Sequence, residues 1–182
     1  MITNVDFKIL DAIQSIANPV LDVFFALVTH LGDKGIVWIL IAVLCLCFKK
    51  TRKCGIMLGI VLILGTLVGN MALKNIIARP RPFVQNPEML KELLIAAPHG
   101  FSCPSGHTLS SIECAVVIFL NNKKWGIPAL VLAVLIAFSR MYLYVHFFTD
   151  ILLGTLLGIA LGCLVYYAVN KAEGRIKNGK KI

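Results

Sequence analysis

The chain reads as an all-α, polytopic membrane bundle of about six transmembrane helices, and three observations carry that reading. Of its 182 residues, 58% are hydrophobic and only 15% charged, with a mean hydropathy of +0.85, which is too apolar for a soluble domain of this length. The apolar residues fall in runs, at about 35–48, 55–73, 108–120, 126–145 and 151–169, with a weaker one at 19–31, separated by polar or basic patches. Glycines recur every four residues at Gly154, Gly158 and Gly162, and also at Gly55 with Gly59 and Gly65 with Gly69. That spacing lets helix backbones approach closely in lipid.

Taken in order, the start Met1-Ile2-Thr3-Asn4-Val5-Asp6 lacks a basic region ahead of a long apolar core, so it is not a cleavable signal peptide. Val5, Ile9, Ile13 and Ile16 share one helical face, which predicts an interfacial helix over 5–16. The run at 19–31 is the weakest span. Two of the other runs fall short of the roughly 20 residues a bilayer demands, so flanking polar residues must help them cross.

Between Pro82 and Pro104 lies a long extramembrane loop. In it Asn86-Pro87-Glu88 reads as a helix cap, followed by Met89, Leu90, Leu93 and Leu94 with Lys91 and Glu92 between them. A short amphipathic helix at the membrane surface is expected there, either a lid beside a site or a connector. The whole of 1–182 is read as one domain.

Basic residues set the orientation. Lys49, Lys50, Arg52 and Lys53 lie in one loop, Lys123 and Lys124 in another, and Lys171, Arg175, Lys177, Lys180 and Lys181 in the tail. If the segments alternate, all three clusters share a side, and the positive-inside rule makes it cytoplasmic. The net charge of +9 is then mostly a topology signal. A nucleic-acid partner is excluded because no basic stripe with interleaved aromatics exists. Of the six cysteines, only Cys103 falls on the opposite face, and they offer neither a disulfide framework nor a CxxC metal pair.

That opposite face holds the chemistry. His146 and Asp150 are four residues apart, which on a helix puts them on one face. There a carboxylate fixes the imidazole tautomer and makes a nucleophile or base of the histidine. Arg140 adds a guanidinium able to hold two phosphate oxygens. Pro104-Ser105-Gly106-His107 precedes an apolar run, with Ser105 suited to cap a helix whose free N–H groups bind anions and Gly106 letting the backbone come close. His107, in the first turn, is placed to donate a proton to a leaving oxygen. Lys74 and Arg81 complete a cationic set, whereas Arg79 is read as a basic residue snorkelling to headgroups. Glu113, inside an apolar run, is costly there unless paired or protonated. Asn70, one turn before Lys74, either orients it or bonds a neighbouring helix.

Together the three stretches resemble the type 2 phosphatidic acid phosphatase family, whose signature is lysine, six residues, Arg-Pro; then Pro-Ser-Gly-His; then Ser-Arg, five residues, histidine, three residues, aspartate. The match is complete at Lys74, Arg81, Pro82, Pro104, Ser105, Gly106, His107, Ser139, Arg140, His146 and Asp150, spanning residues 74–150. The resemblance implies a six-helix bundle and a phosphohistidine intermediate on His146. It also implies His107 as general acid and Lys74, Arg81, Ser105, Gly106 and Arg140 as the phosphate cradle, with no cofactor or metal. His30 and His99 match no family position and are read as incidental.

The expected partner is a phosphorylated lipid in a membrane. Small size and an outward-facing site fit a bacterial undecaprenyl diphosphate phosphatase, and phosphatidic acid or phosphatidylglycerol phosphate are the alternatives. A non-enzymatic protein that binds or moves anionic lipids would also use the arginines, but it would not need His107, His146 and Asp150. Neither the substrate nor the oligomeric state is readable from the sequence.

Overall fold

The computed structural model describes residues 2–179, with side chains over 3–175, and among these it contains only helices and loops. Lys180 and Lys181 of the basic tail lie outside the described residues, as does the side chain of Lys177.

Helix α1 (Ile2–Gln14) and helix α2 (Pro19–Leu31) meet at a 120° bend. The bend is built by Asn18, whose Oδ1 accepts from the backbone N–H groups of Val20 and Leu21, with Pro19 at the first helical position. The inward face of α1 is Asp6, Phe7, Leu10 and Ile13. Of the stripe read from the sequence, Val5 and Ile16 are instead exposed. The reason is tertiary: Phe7 packs edge-on to Phe147, and Asp6 is drawn into an ion pair.

Helix α3 (Ile36–Cys47) turns back through Thr51, whose hydroxyl donates to the Cys45 carbonyl, into helix α4 (Arg52–Gly65). The chain continues without a break through a π-helical segment, Thr66–Leu73, into the short helix α5 (Lys74–Ile77). Ala78 at φ 48° ends it, and Pro82 opens helix α6 (Pro82–Gln85). In the loop beyond, Pro87–Glu92 forms one 3-10 helix whose Asn86 makes no side-chain cap bond. Helices α7 (Gly106–Asn121), α8 (Lys123–Tyr142) and α9 (Phe148–Gly179) form the centre of the bundle.

Three helical stretches, Arg52–Gln85, Lys123–Tyr142 and Phe148–Arg175, are long and apolar enough to cross a membrane, and the bent α1–α2 pair makes a fourth if counted as one span. With 12 and 16 residues, α3 and α7 fall short of that length.

Packing follows the small residues. A Cβ on Gly158 would lie 3.0 Å from the Ile112 Cβ, and one on Gly162 would lie 2.8 Å from a Val116 methyl, so the glycine face of α9 lies directly on α7. Gly55 meets the backbone of α3 in the same way, whereas Gly59 faces open space. One buried cluster, including Trp38, Met57, Val61, Leu109, Val117 and Ile136, fills one half of the bundle, and Trp38 Nε1 donates to Ser111 Oγ at 3.0 Å within it. A second cluster, including Leu10, Phe25, Tyr142, Val145 and Phe147, fills the other.

Lys53 at the start of α4 bonds Asn170 and Glu173 late in α9, and Asn121 at the end of α7 reaches Met57. These contacts gather the ends bearing the basic clusters at one pole of the bundle. The three motifs occupy the other.

Candidate active site

At the second pole a cavity of about 400 Å³ is lined by Asn70, Lys74, Arg81, Gly106, His107, Arg140 and His146, together with Gly32, Lys34 and Gly35 of the α2–α3 turn. Residues drawn from four separate parts of the chain thus face one space.

His146 does not stand on a helix. It lies in the turn between α8 and α9, where the His146 and Val145 N–H groups both bond the Arg140 carbonyl at 3.2 and 3.1 Å and Tyr144 takes a left-handed φ of 57°. The i,i+4 argument therefore reaches the right pair by the wrong route. Asp150 is the third residue of α9 and reaches back to the Phe147 N–H at 2.9 Å, the geometry of a capping box. That reach brings its Oδ2 to 3.5 Å from His146 Nδ1.

That separation is too long for a good hydrogen bond, and Nδ1 has no hydrogen-bond partner. The cause is competition for the carboxylate. Ser102 donates to Oδ2, while Arg79 donates to Oδ1 at 2.7 Å. On the other side of the ring, Arg81 Nη1 is 3.2 Å from His146 Nε2. A guanidinium can only donate, so Nε2 carries the lone pair and the proton sits on Nδ1, facing Asp150. Burial, joined by the charges of Arg81 and Arg140, pushes the imidazole down to about 3 against the pull of Asp150, so the ring is neutral at physiological pH.

Arg81 is anchored through Nε to the Gly100 carbonyl at 3.0 Å, through Nη2 to the His99 carbonyl at 3.2 Å and through Nη1 to the Val145 carbonyl at 3.0 Å. His99 enters the site through its backbone alone. Arg140, only 2% exposed, gives Nη1 to the Thr29 hydroxyl, while its Nε is buried without a partner. A buried guanidinium N–H left unpaired is costly.

Lys74 stands one turn beyond Asn70, whose Oδ1 is 3.5 Å from its Nζ. The same Oδ1 would lie 2.6 Å from a Cβ at position 106, so Gly106 is required for Asn70 to close over the start of α7. Ser105 caps that start as expected, accepting from the Thr108 N–H at 3.5 Å and the Thr108 hydroxyl at 3.0 Å. Its own N–H donates to the Asp150 carbonyl, which ties the second motif to the third.

Four features were not legible in the motifs. Arg79 is no snorkelling residue: it bridges Asp150 and the buried Asp6 of α1 at 2.7 Å each, bonds Thr149 at 2.6 Å and lies 3.9 Å over the Phe147 ring. Ser102 and Thr29 hold Asp150 and Arg140, and nothing in their local sequence marks them. Asp33 bonds His107 Nε2 at 2.9 Å and His30 Nδ1 at 2.8 Å, so His30 is linked to the site after all. Glu113 has no part in the cavity. It is 1% exposed and its carboxyl packs on Gly65, where a Cβ would lie 2.2 Å from Oε2.

Fold and site together define a helical membrane protein with a cavity lined by two histidines, two arginines and two lysines. The chain belongs to the PAP2 superfamily, whose model matches residues 54–173. It is 40% identical over 124 residues to an undecaprenyl-diphosphatase of Sulfolobus acidocaldarius, an alignment covering 67% of this chain and 58% of that protein. With the undecaprenyl-diphosphatase BcrC of Bacillus subtilis it shares 28% identity over 163 residues, 88% of this chain and 82% of the relative. The crystal structure of a transmembrane PAP2 type phosphatidylglycerolphosphate phosphatase from Bacillus subtilis superposes with a TM-score of 0.72 at 28% identity, covering 96% of this chain and 87% of that one.

Proposed function

We propose that this chain is a membrane lipid phosphatase that hydrolyses a lipid phosphate or diphosphate through a phosphohistidine on His146, with undecaprenyl diphosphate as its substrate. The observation that carries the reading is a neutral, buried imidazole whose Nε2 faces Arg81 Nη1, set beside Arg140, whose buried Nε–H has no partner, both residues lining one cavity. A protein that only bound anions would need the guanidinium and not the nucleophile.

In this mechanism Lys74, Arg81, Arg140 and the N–H groups of Gly106 and His107 at the start of α7 hold the phosphoryl oxygens, while Ser105 caps that helix from behind. Such fixed charges supply most of the catalysis in phosphoryl transfer. His146 Nε2 attacks phosphorus in line, the bond from phosphorus to the leaving oxygen breaks, and His107 gives that oxygen a proton. Asp150 stabilises the cationic phosphoimidazole. Water then attacks phosphorus, returning its proton to His107, and phosphate leaves His146.

The two undecaprenyl-diphosphatase relatives support the substrate, and the phosphatidylglycerolphosphate phosphatase structure supports phosphatidylglycerol phosphate as the second reading. The whole chain acts as one domain with six membrane segments, α3 and α7 crossing with the help of their flanking turns. The basic pole faces the cytoplasm by the positive-inside rule, so the site opens at the outer leaflet of a bacterial membrane. The 86–96 segment, with Met89, Leu93 and Ile95 packed on the second buried cluster, is a connector along that surface.

The deciding experiment is a set of initial rates by purified protein in detergent with chelator present. The substrates are undecaprenyl diphosphate, undecaprenyl phosphate, phosphatidic acid and phosphatidylglycerol phosphate. Preference for the diphosphate supports the first reading and preference for phosphatidylglycerol phosphate the second. Inertness toward all four returns the protein to a binding role.

A further inference from the structure

The α2–α3 turn lies outside the matched segment 54–173 and outside all three motifs, yet it forms one wall of the cavity. Two features of its backbone bring it there. A Cβ on Gly32 would lie 2.8 Å from His107 Cδ2, so only glycine lets the imidazole press against the turn. Lys34 at φ 51° and Gly35 at φ 70° are successive left-handed residues, and the lysine is strained in that conformation. The result is that Asp33 Oδ1 meets His107 Nε2 at 2.9 Å, while Oδ2 is held by His30 Nδ1 at 2.8 Å.

The electrostatics around His107 give that contact a purpose. The other charged groups facing the ring are Arg140 and Lys74, both cations, and both oppose the imidazolium that a general acid must become. Asp33 is the carboxylate against the ring. It remains ionised: burial would raise it, but the bonds from His30 and His107 outweigh burial and hold it below the ordinary carboxylate value.

Resting on the phosphatase reading above, we infer that Asp33 is a positioning residue for His107, accepting its Nε2–H and stabilising the imidazolium so that Nδ1 exchanges the proton used in catalysis. As Nε2 of His146 bonds phosphorus and the leaving oxygen departs, the Nδ1 proton of His107 passes to that oxygen. A proton from the attacking water later returns to Nδ1. Asp33 stays a carboxylate throughout, and His30 keeps it turned toward the ring. Two histidines thus share one carboxylate in this turn, as His146 shares Asp150 with Arg79.

The test is D33N in the full chain, beside wild type. Single-turnover rates are taken on phosphatidic acid, which expels an alkoxide, and on undecaprenyl diphosphate, which expels phosphate and needs less acid assistance. D33N should lose about 10–100-fold on phosphatidic acid, a fraction of the full worth of a general acid, and at most about threefold on the diphosphate. The alkaline limb of its pH profile should move to lower pH, because the imidazolium has lost its counter-charge. Orthovanadate should inhibit both proteins alike, which shows an intact cradle. Equal losses on the two substrates, an unmoved alkaline limb, or loss of vanadate inhibition would each overturn the inference and make Asp33 a structural contact. Wild type inert on both substrates would instead defeat the phosphatase reading and this inference with it, whereas active wild type matched by D33N defeats the inference alone.

Discussion

At the scale of single residues, the site works by over-subscription. Asp150 accepts from Arg79, Ser102 and the Phe147 N–H, so it faces His146 across 3.5 Å as a fixed charge and not as a tight partner. His146→Ala should abolish turnover while orthovanadate still binds, since the cradle survives, and wild-type rates in that variant would refute the phosphohistidine. Asp150→Asn should leave a residual rate. The comparable change in a serine protease triad costs about 10⁴ in kcat, and the looser contact here predicts a loss of about 10²–10³. Arg79→Ala should lower kcat by about tenfold or more with KM little changed, because it frees Asp150 without touching the cradle, and steady-state kinetics on the preferred lipid would separate the two constants.

The pH dependence follows from the same geometry. A base whose value is depressed to about 3 is lost only as the pH falls through that range. The single-turnover rate on a diphosphate should therefore show no loss of this base as the pH falls from about 7 to 5. An acid limb near the ordinary histidine value of about 6.5 would place His146 in a more solvated site.

At the scale of elements, the glycine face of α9 is what brings the Asp150 end of that helix against the Ser105–Gly106 turn. Gly158→Leu drives a side chain into Ile112, a contact already at 3.0 Å for a bare Cβ. It should destabilise the bundle by about 1–3 kcal/mol or more, in line with overpacked cores. Gly59→Ala is its control, because that position faces open space, and it should be neutral or mildly stabilising. Thermal unfolding in detergent measures both. The π-helical stretch Thr66–Leu73 belongs to this scale too. It lies between the packed α4 and Lys74, and Gly69 within it meets Leu109 so closely that a Cβ would lie 2.1 Å from a leucine methyl. A π segment near a site is a recurrent device for re-aiming the residues that follow.

At the scale of the whole molecule, one pole carries the basic ends and the other the cavity, and topology links this division to function. With a cysteine introduced by Asn86→Cys, an impermeant thiol reagent should label intact cells. With Lys123→Cys it should not. The reverse pattern would put the cavity in the cytoplasm and remove the outward-facing carrier lipid as substrate.

The sequence by itself determined the helical membrane class, the division into polar and apolar stretches, and the residues of the three motifs, because each is encoded locally. Hydropathy is a property of neighbours along the chain. Lys74, Arg81, Gly106, His107, Arg140 and His146 all line one cavity, while Ser105 and Asp150 are buried behind it. Only the tertiary structure decided how those residues are held. Arg79 was misread because its partners, Asp6 and Asp150, lie 73 and 71 positions away. Asp33 and Thr29 were passed over because their bonds to His107 and Arg140 span 74 and 111 positions. The inward face of α1 was likewise set by Phe147 and Arg79, not by its own apolar stripe. A carboxylate or hydroxyl at a helix end has no intrinsic meaning in the chain. It acquires one when folding brings a buried cation or imidazole within 3 Å and leaves no water there to bond it instead.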